Sequence, residues 1–207
     1  MQLKYIHSFW VFNICFWTCS LWVNGQSRDS VYVVESGIDF QMPNGFHSED
    51  FSQELDRVFD CGDGKLSSSL SYMLANSDKT IRIGITVVKV LSAEVTKKIN
   101  DNFVKGYNPN ENYLRTVKNL ADTTQFPVIF FRDIEKLRKY NADDGGVFIR
   151  KCNRPFLSSY KNHFILFLFK KDFGHVEITY FFNEDQRKEI EGMMAESFHM
   201  LRLRSSR

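Results

Sequence analysis

The chain has 207 residues and a formal net charge of +2, from 27 Lys and Arg against 25 Asp and Glu. The two signs are interspersed, so charge gives no case for nucleic acid, and the short basic end at Arg202, Arg204 and Arg207 reads as a solvated terminus. The length suits one domain with a substantial core, and an unusually large complement of 20 Phe is available to fill it.

The first 25 residues read as a processing signal. Lys4 precedes an apolar span from Ile6 to Val23, and Val23-Asn24-Gly25 leads into Gln26. This is the layout of a secretory signal peptide cut near Gly25–Gln26, with residues 26–207 as a single domain. The span is 18 residues long and interrupted by His7, Ser8, Asn13, Thr18 and Ser20, marginal for a membrane helix. An uncleaved membrane anchor is the alternative. Phe16-Trp17-Thr18 ahead of Cys19 is too bulky for a lipoprotein signal. The expected location is therefore periplasmic or secreted, with outer-envelope association as a variant.

Cys15 and Cys19 fall inside the signal, leaving Cys61 and Cys152 as an even pair in an exported protein. They are a candidate disulfide. A bridge would close a loop of about 90 residues, worth on the order of 4 kcal/mol in the chain-entropy model. Two separate thiols are the other reading.

After a polar start at Gln26 to Ser30, Val31–Val34 and Ile38–Met42 are strand-like, separated by Ser36-Gly37 and stopped by Pro43-Asn44-Gly45. Phe46 to Gly64 has no clear period. A β-hairpin is predicted over Ser69–Val90, turning at Asn76-Ser77-Asp78-Lys79, with strict alternation of Ile81, Ile83, Ile85 and Val87. Three helices follow. Ser92 caps the first, which places Val95, Ile99 and Phe103 on one face and ends at Gly106. Asn108-Pro109-Asn110 opens the second, with Leu114, Val117, Leu120 and Ala121 inward. Phe126–Phe131 is a short extended piece, and Asp133 caps a brief third helix through Leu137 and Tyr140. Asp143-Asp144-Gly145-Gly146 is a turn into a strand at Val147–Ile149, and Arg154-Pro155 to Lys161 is a link.

The C-terminal stretch organises the fold. His163–Phe169 is an unbroken apolar run, which needs cover on both faces of a strand. Lys170–Gly174 is a turn. His175–Phe182 alternates, with Val176, Ile178, Tyr180 and Phe182 inward and Glu177 and Thr179 on the other face. Asn183 with Gln186 three residues on is a capping-box start for a helix whose apolar face is Ile190, Met193, Met194, Phe198 and Leu201. The pattern is strand, hairpin, strand, helix. The fold class is α+β, an antiparallel β-sheet packed against helices, with the last helix lying across the sheet as its cover.

From Asp133 onward the chain resembles uncharacterised exported proteins of Bacteroides-type Gram-negative bacteria. The residues that carry this are Lys139-Tyr140-Asn141-Ala142-Asp143, Tyr160-Lys161, Phe169-Lys170-Lys171 with Gly174, and Thr179-Tyr180-Phe181-Phe182. The layout is also similar to the PsbP/DcrB-type fold, an antiparallel sheet between helices with a final helix after the last strand. Neither resemblance implies an activity, a cofactor or a catalytic residue.

Motifs for chemistry are sparse. Cys61–Ser67 departs from a phosphate loop, with Phe59 where a Gly is needed and Leu66 where Ser or Thr is needed. Asp60 and Asp63 lack the alternation and terminal Glu of a calcium loop. Asp143 and Asp144 offer two carboxylates to a cation, or simply make an acidic turn. His47, His163, His175 and His199 share no metalloprotease spacing. His163 and His175 are candidate cross-strand neighbours that would bind a metal if they faced the same way. Cys152 beside a histidine would imitate a thiol nucleophile pair unless it is bridged. Ser67-Ser68-Ser69 has no nucleophile-elbow context.

The expected function is a non-catalytic binding or interaction module without cofactor, metal or catalytic residues. It would take a partner protein, an envelope component or a small ligand through a sheet face or the helical cover. It would meet membrane only through an uncleaved N-terminal signal. The rivals are a hydrolase-type enzyme with sequence-scattered residues and a membrane-anchored envelope protein.

Overall fold

The structure is a computed structural model, and it describes residues 37–49, 70–121, 127–157 and 159–204. The expected signal, the strand at Val31–Val34, Cys61 and the phosphate-loop lookalike lie outside the described residues.

Among the described residues, seven strands form one antiparallel sheet in the order β2-β3-β4-β8-β7-β6-β5. They are β2 (Phe46–Ser48), β3 (Tyr72–Asn76), β4 (Arg82–Lys89), β5 (Ile129–Phe130), β6 (Asp144–Phe156), β7 (Tyr160–Lys170) and β8 (Gly174–Phe182). A separate two-stranded sheet pairs β1 (Ile38–Phe40) with β9 (Leu201–Leu203). The helices are α1 (Ala93–Asn102), α2 (Asn112–Leu120), α3 (Ile134–Tyr140), α4 (Arg187–Ala195) and α5 (Ser197–Met200). The architecture is α+β.

The apolar run behaves as expected. It is β7, hydrogen-bonded between β8 and β6, with Leu166, Phe167 and Leu168 fully buried. Covering both faces is what a run without polar positions requires. Registered pairs point their side chains the same way, so the two faces of the sheet can be read from the pairing. One face carries Ile83, Ile85, Val176, Ile178, Tyr180, Phe182, Leu166 and Leu168. The opposite face carries Phe148, Ile165, Phe167, Phe181, Glu177 and His175. On that opposite face, Tyr113, Val117, Leu120 and Ala121 of α2 and its end pack against Phe148, Ile165 and Phe167. Further along it, Leu70, Met73, Phe156, Tyr160 and Phe181 form a second cluster.

Five expectations are corrected. β8 is buried at all nine positions, so its Glu177 and Thr179 face is covered rather than wet. The C-terminal helix is two pieces that break at Glu196, and Leu201 begins a strand that pairs with β1, so the C-terminal order is strand, hairpin, strand, helix, helix, strand. The first strand, Ile38–Phe40, therefore joins the chain's end and not the main sheet. β6 runs 13 residues, to Phe156, through the segment expected to be a link, and β7 starts at Tyr160.

The fifth correction concerns α1. Ser92 caps it as expected, its Oγ accepting from Val95 N–H at 3.3 Å. Yet no residue of α1 is buried; Val95 is exposed and Phe103, just beyond its end, is 82 % exposed. A helical apolar period says that a face could be buried, and it does not say that a neighbour covers it. α2 does dock its predicted face, with Tyr113 added.

Candidate functional site

A cavity of about 260 Å³ lies against the Tyr180 face of the sheet, under the C-terminal helices. Its wall combines Met42, Met193 and Met200 with Tyr180, Ser197 and His199, and residues 41–44 close one side. Three local features build it. The break at Glu196, where His199 N–H donates to the Glu196 carbonyl at 2.9 Å, starts a new short helix and buries Ser197. Gln41 N–H donates to the Met200 carbonyl at 2.8 Å, tying the 41–44 strap to α5. Arg204 Nε donates to Asp39 Oδ1 at 2.7 Å, clamping β1 to β9 from outside.

The floor of the cavity is a polar knot in an apolar setting. Ser197 Oγ–H donates to the Met194 carbonyl at 2.8 Å. That uses its one proton, so Tyr140 Oη, 2.7 Å away, is the donor to Ser197 Oγ. Tyr180 reaches the same hydroxyl. Burial pushes the Tyr180 phenol up, the charge that Tyr140 would carry adds to the shift, and the hydrogen bond with Ser197 offsets part of it. Burial also raises Tyr140. Both phenols are therefore held neutral, as donors in a dry site. Around them, three methionine thioethers give a polarizable, adaptable wall. The arrangement suits an apolar body with a small polar end better than a charged one.

Other candidates are placed as follows. His163 and His175 do share a sheet face, but they are not neighbours. The hairpin is tight, with Phe169 opposite His175 and His163 opposite Phe181, which sets the two imidazoles about 20 Å apart along the strands. His47 and His199 are exposed. Among the described residues no three His, Cys, Asp or Glu cluster as metal ligands. Asp143 accepts from Lys171 N–H at 2.8 Å, and Asp144 accepts from Tyr113 Oη at 2.5 Å and from its neighbour Gly145 N–H at 2.7 Å. These two carboxylates fasten the turn and α2 to the sheet.

Cys152 does lie by a histidine. Its Sγ is 3.5 Å from His163 Nε2, with both residues 5 % exposed. The Phe156 and Phe181 rings stand edge-on to the imidazole at 6.2 and 4.7 Å. Attack on a substrate carbonyl needs the sulfur open to solvent, and this packing closes it off. On the same sheet face His175 Nε2 lies 3.4 Å from Glu177 Oε1 without hydrogen-bond geometry, both side chains buried.

Sequence reasoning missed Ser197, Tyr140 and Tyr180 as a group. The available signal was chemical: a tyrosine on the inward phase of β8 needs a partner for its hydroxyl. Nothing in the spacing identifies that partner across 17 and 57 residues.

No family model matches the chain, and no curated protein matches it. Among solved structures, the solution structure of cyanobacterial PsbP from Synechocystis sp. is similar over 82 % of this chain and 88 % of that one, at 10 % identity and a TM-score of 0.40. A likeness at that level carries no argument about function.

Proposed function

We propose that this is an exported, non-catalytic binding module of the periplasm or cell envelope. Its site is the cavity beneath the C-terminal helices, and its ligand is a small molecule with an apolar body and one neutral hydrogen-bonding end. The observation that carries this reading is the 260 Å³ cavity with methionines on its wall and Ser197 and Tyr180 on its floor. Its size is at the small end for ligand pockets, so the ligand is compact. The neutral phenols on the floor present no fixed charge, and the one carboxylate of the lining, the exposed Glu196, disfavours an anionic ligand. Residues 1–25 support export, and in an oxidising compartment Cys61 and Cys152 are proposed to pair. No described helix is long and apolar enough to cross a membrane.

The test uses methyl-labelled methionine and a probe series of 1-octanol, octanoate and octyltrimethylammonium. Saturable shifts at Met42, Met193 and Met200 with the alcohol, weaker with either charged probe, are expected. Met193→Trp fills the cavity from a half-exposed position and should abolish the shifts at Met42 and Met200. Methyl signals that stay fixed across the series would sink the ligand reading. Export is checked separately, by N-terminal sequencing of mature protein: a start near Gln26 supports it, and intact Met1 in a soluble cytoplasmic fraction rejects it.

A further inference from the structure

β5 ends the main sheet. It pairs with β6 on one side, and among the described residues no strand lies beyond it. Phe131 N–H donates to the Gly145 carbonyl at 2.8 Å, so Phe131 turns its backbone toward β6. In an antiparallel ladder that direction alternates, which leaves the Phe130 N–H and C=O aimed outward at the open edge. Protein edges are usually blunted by lysine, proline or a bulge. This one is only two residues long and has Pro127 just ahead of it, yet it presents Ile129 at 60 % and Phe130 at 42 % exposure, with Ile134 at 66 % beside them at the start of α3.

The edge is also concave. A hollow of about 570 Å³ is lined by Val128 to Asp133 and Lys136. Two glycines shape it. A Cβ on Gly146 would lie 2.6 Å from the Ile129 carbonyl oxygen and 2.7 Å from the Phe167 ring. The bare backbone there lets β5 sit close, and Phe130 meets Phe167 edge-to-face at 5.5 Å. Gly145 likewise leaves room next to Phe131.

The charges of the hollow are unbalanced. Asp133 Oδ1 is engaged as the N-cap of α3, accepting from Glu135 N–H at 2.9 Å, and Glu135 is bonded to Arg138 at 2.5 Å. Arg132 is exposed, and Lys136 Nζ sits 3.8 Å from the centre of the Phe131 ring. Capping leaves the Asp133 charge in place, where it acts on Lys136, so two cations against one carboxylate leave the hollow an excess positive charge beside the open backbone edge. Self-pairing of β5 about a two-fold axis at Phe130 would set Arg132 opposite Val128 of the second copy rather than opposite a carboxylate. The edge instead fits a partner that brings carboxylates.

We propose that this edge takes an extended acidic–apolar segment of a partner protein. The segment adds as a strand beside β5, seats an apolar side chain in the hollow and sets a carboxylate against Arg132 and Lys136. Main-chain pairing gives such a mode its affinity and the alternate side chains give it selectivity. The site is separate from the cavity under the C-terminal helices and does not depend on the reading given to it.

The test titrates the full chain with three blocked heptapeptides and follows backbone amide signals. The first alternates Glu and Val, the second alternates Lys and Val, and the third is the Glu–Val peptide with alternate amides N-methylated. Saturable shifts at Ile129, Phe130 and Phe131 with the first peptide are expected, with binding at least tenfold weaker for the second and lost for the third. Arg132→Glu with Lys136→Glu, two surface changes, should reverse the preference between the first two. The proposal is overturned by unmoved β5 amides, by equal binding of both charge patterns, or by binding that survives N-methylation. Concentration-dependent β5 shifts without any peptide would identify a second copy as the occupant and overturn it equally.

Discussion

At the scale of single residues, the hydroxyl of Ser197 is the sharpest case of one group serving several. It donates to Met194 and accepts from Tyr140, with Tyr180 alongside. Ser197→Ala leaves those phenols in an apolar site without their acceptor. The expected loss is about 1–3 kcal/mol, the range for a stranded buried polar group, read from urea unfolding midpoints. The same phenols set a pH dependence. Burial leads the upward shifts at Tyr113, Tyr140, Tyr160 and Tyr180, reinforced at Tyr113 by the bond to Asp144. A folded pKa above the unfolded one favours the protonated form in the native state. That contribution is fully present below pH 10.0, the ordinary tyrosine value, and is lost as pH rises past it. Phenolate absorbance on alkaline titration should therefore appear in two steps, the second coinciding with loss of structure; a single early step involving every tyrosine would refute the assignment. None of this was legible in the sequence beyond the inward phase of Tyr180. Side-chain partners distant in the chain leave no periodic trace.

Elements were more legible, and their mistakes are instructive. Caps at Ser92, Asn108, Asp133 and Asn183 were readable because capping is local chemistry: each is an oxygen-bearing side chain just ahead of a helical period. β7 was readable because an apolar run of that length has few alternatives. What failed was coverage. α1 has a good apolar period and no cover, whereas the polar phase of β8 is covered. Periodicity states which residues share a face, and only packing decides whether that face is inside. The contrast gives a direct test in paired variants. Leu120→Ala in α2 should cost about 2–5 kcal/mol, as for a fully packed leucine. Phe103→Ser beside α1 should change stability by no more than about 0.5 kcal/mol, as at an open surface position. Comparable losses in the two variants, measured by chemical denaturation, would mean that α1 is part of the core. Gly174 is a third case. With φ at +124° and a Cβ that would fall 2.0 Å from the Val88 carbonyl oxygen, it admits no side chain at the turn that fixes the β7–β8 register.

At the scale of the whole molecule, the chain's two ends of the described fold meet: β1 pairs with β9, and the 41–44 strap is tied to α5. The cavity thus depends on closure between segments some 160 residues apart, a long loop that costs entropy to hold. A proposed bridge from Cys61 to Cys152 would shorten that search, because Cys152 is anchored on β6, the second strand from the end of the sheet, beside the buried His163. Under that pairing, reduction should destabilise the protein by up to about 4 kcal/mol, with the loss arising chiefly in the unfolded chain. It should leave the methionine methyl shifts of the folded form nearly unchanged, since the cavity's own hydrogen bonds involve neither cysteine. Unfolding midpoints with and without reductant give the energetic arm, and intact mass before and after reduction gives the covalent arm, a gain of two hydrogens on reduction. Native oxidised protein with two titratable thiols would rule out the bridge, and the strap would then be held by its backbone hydrogen bond, the β1–β9 pairing and the Arg204–Asp39 pair.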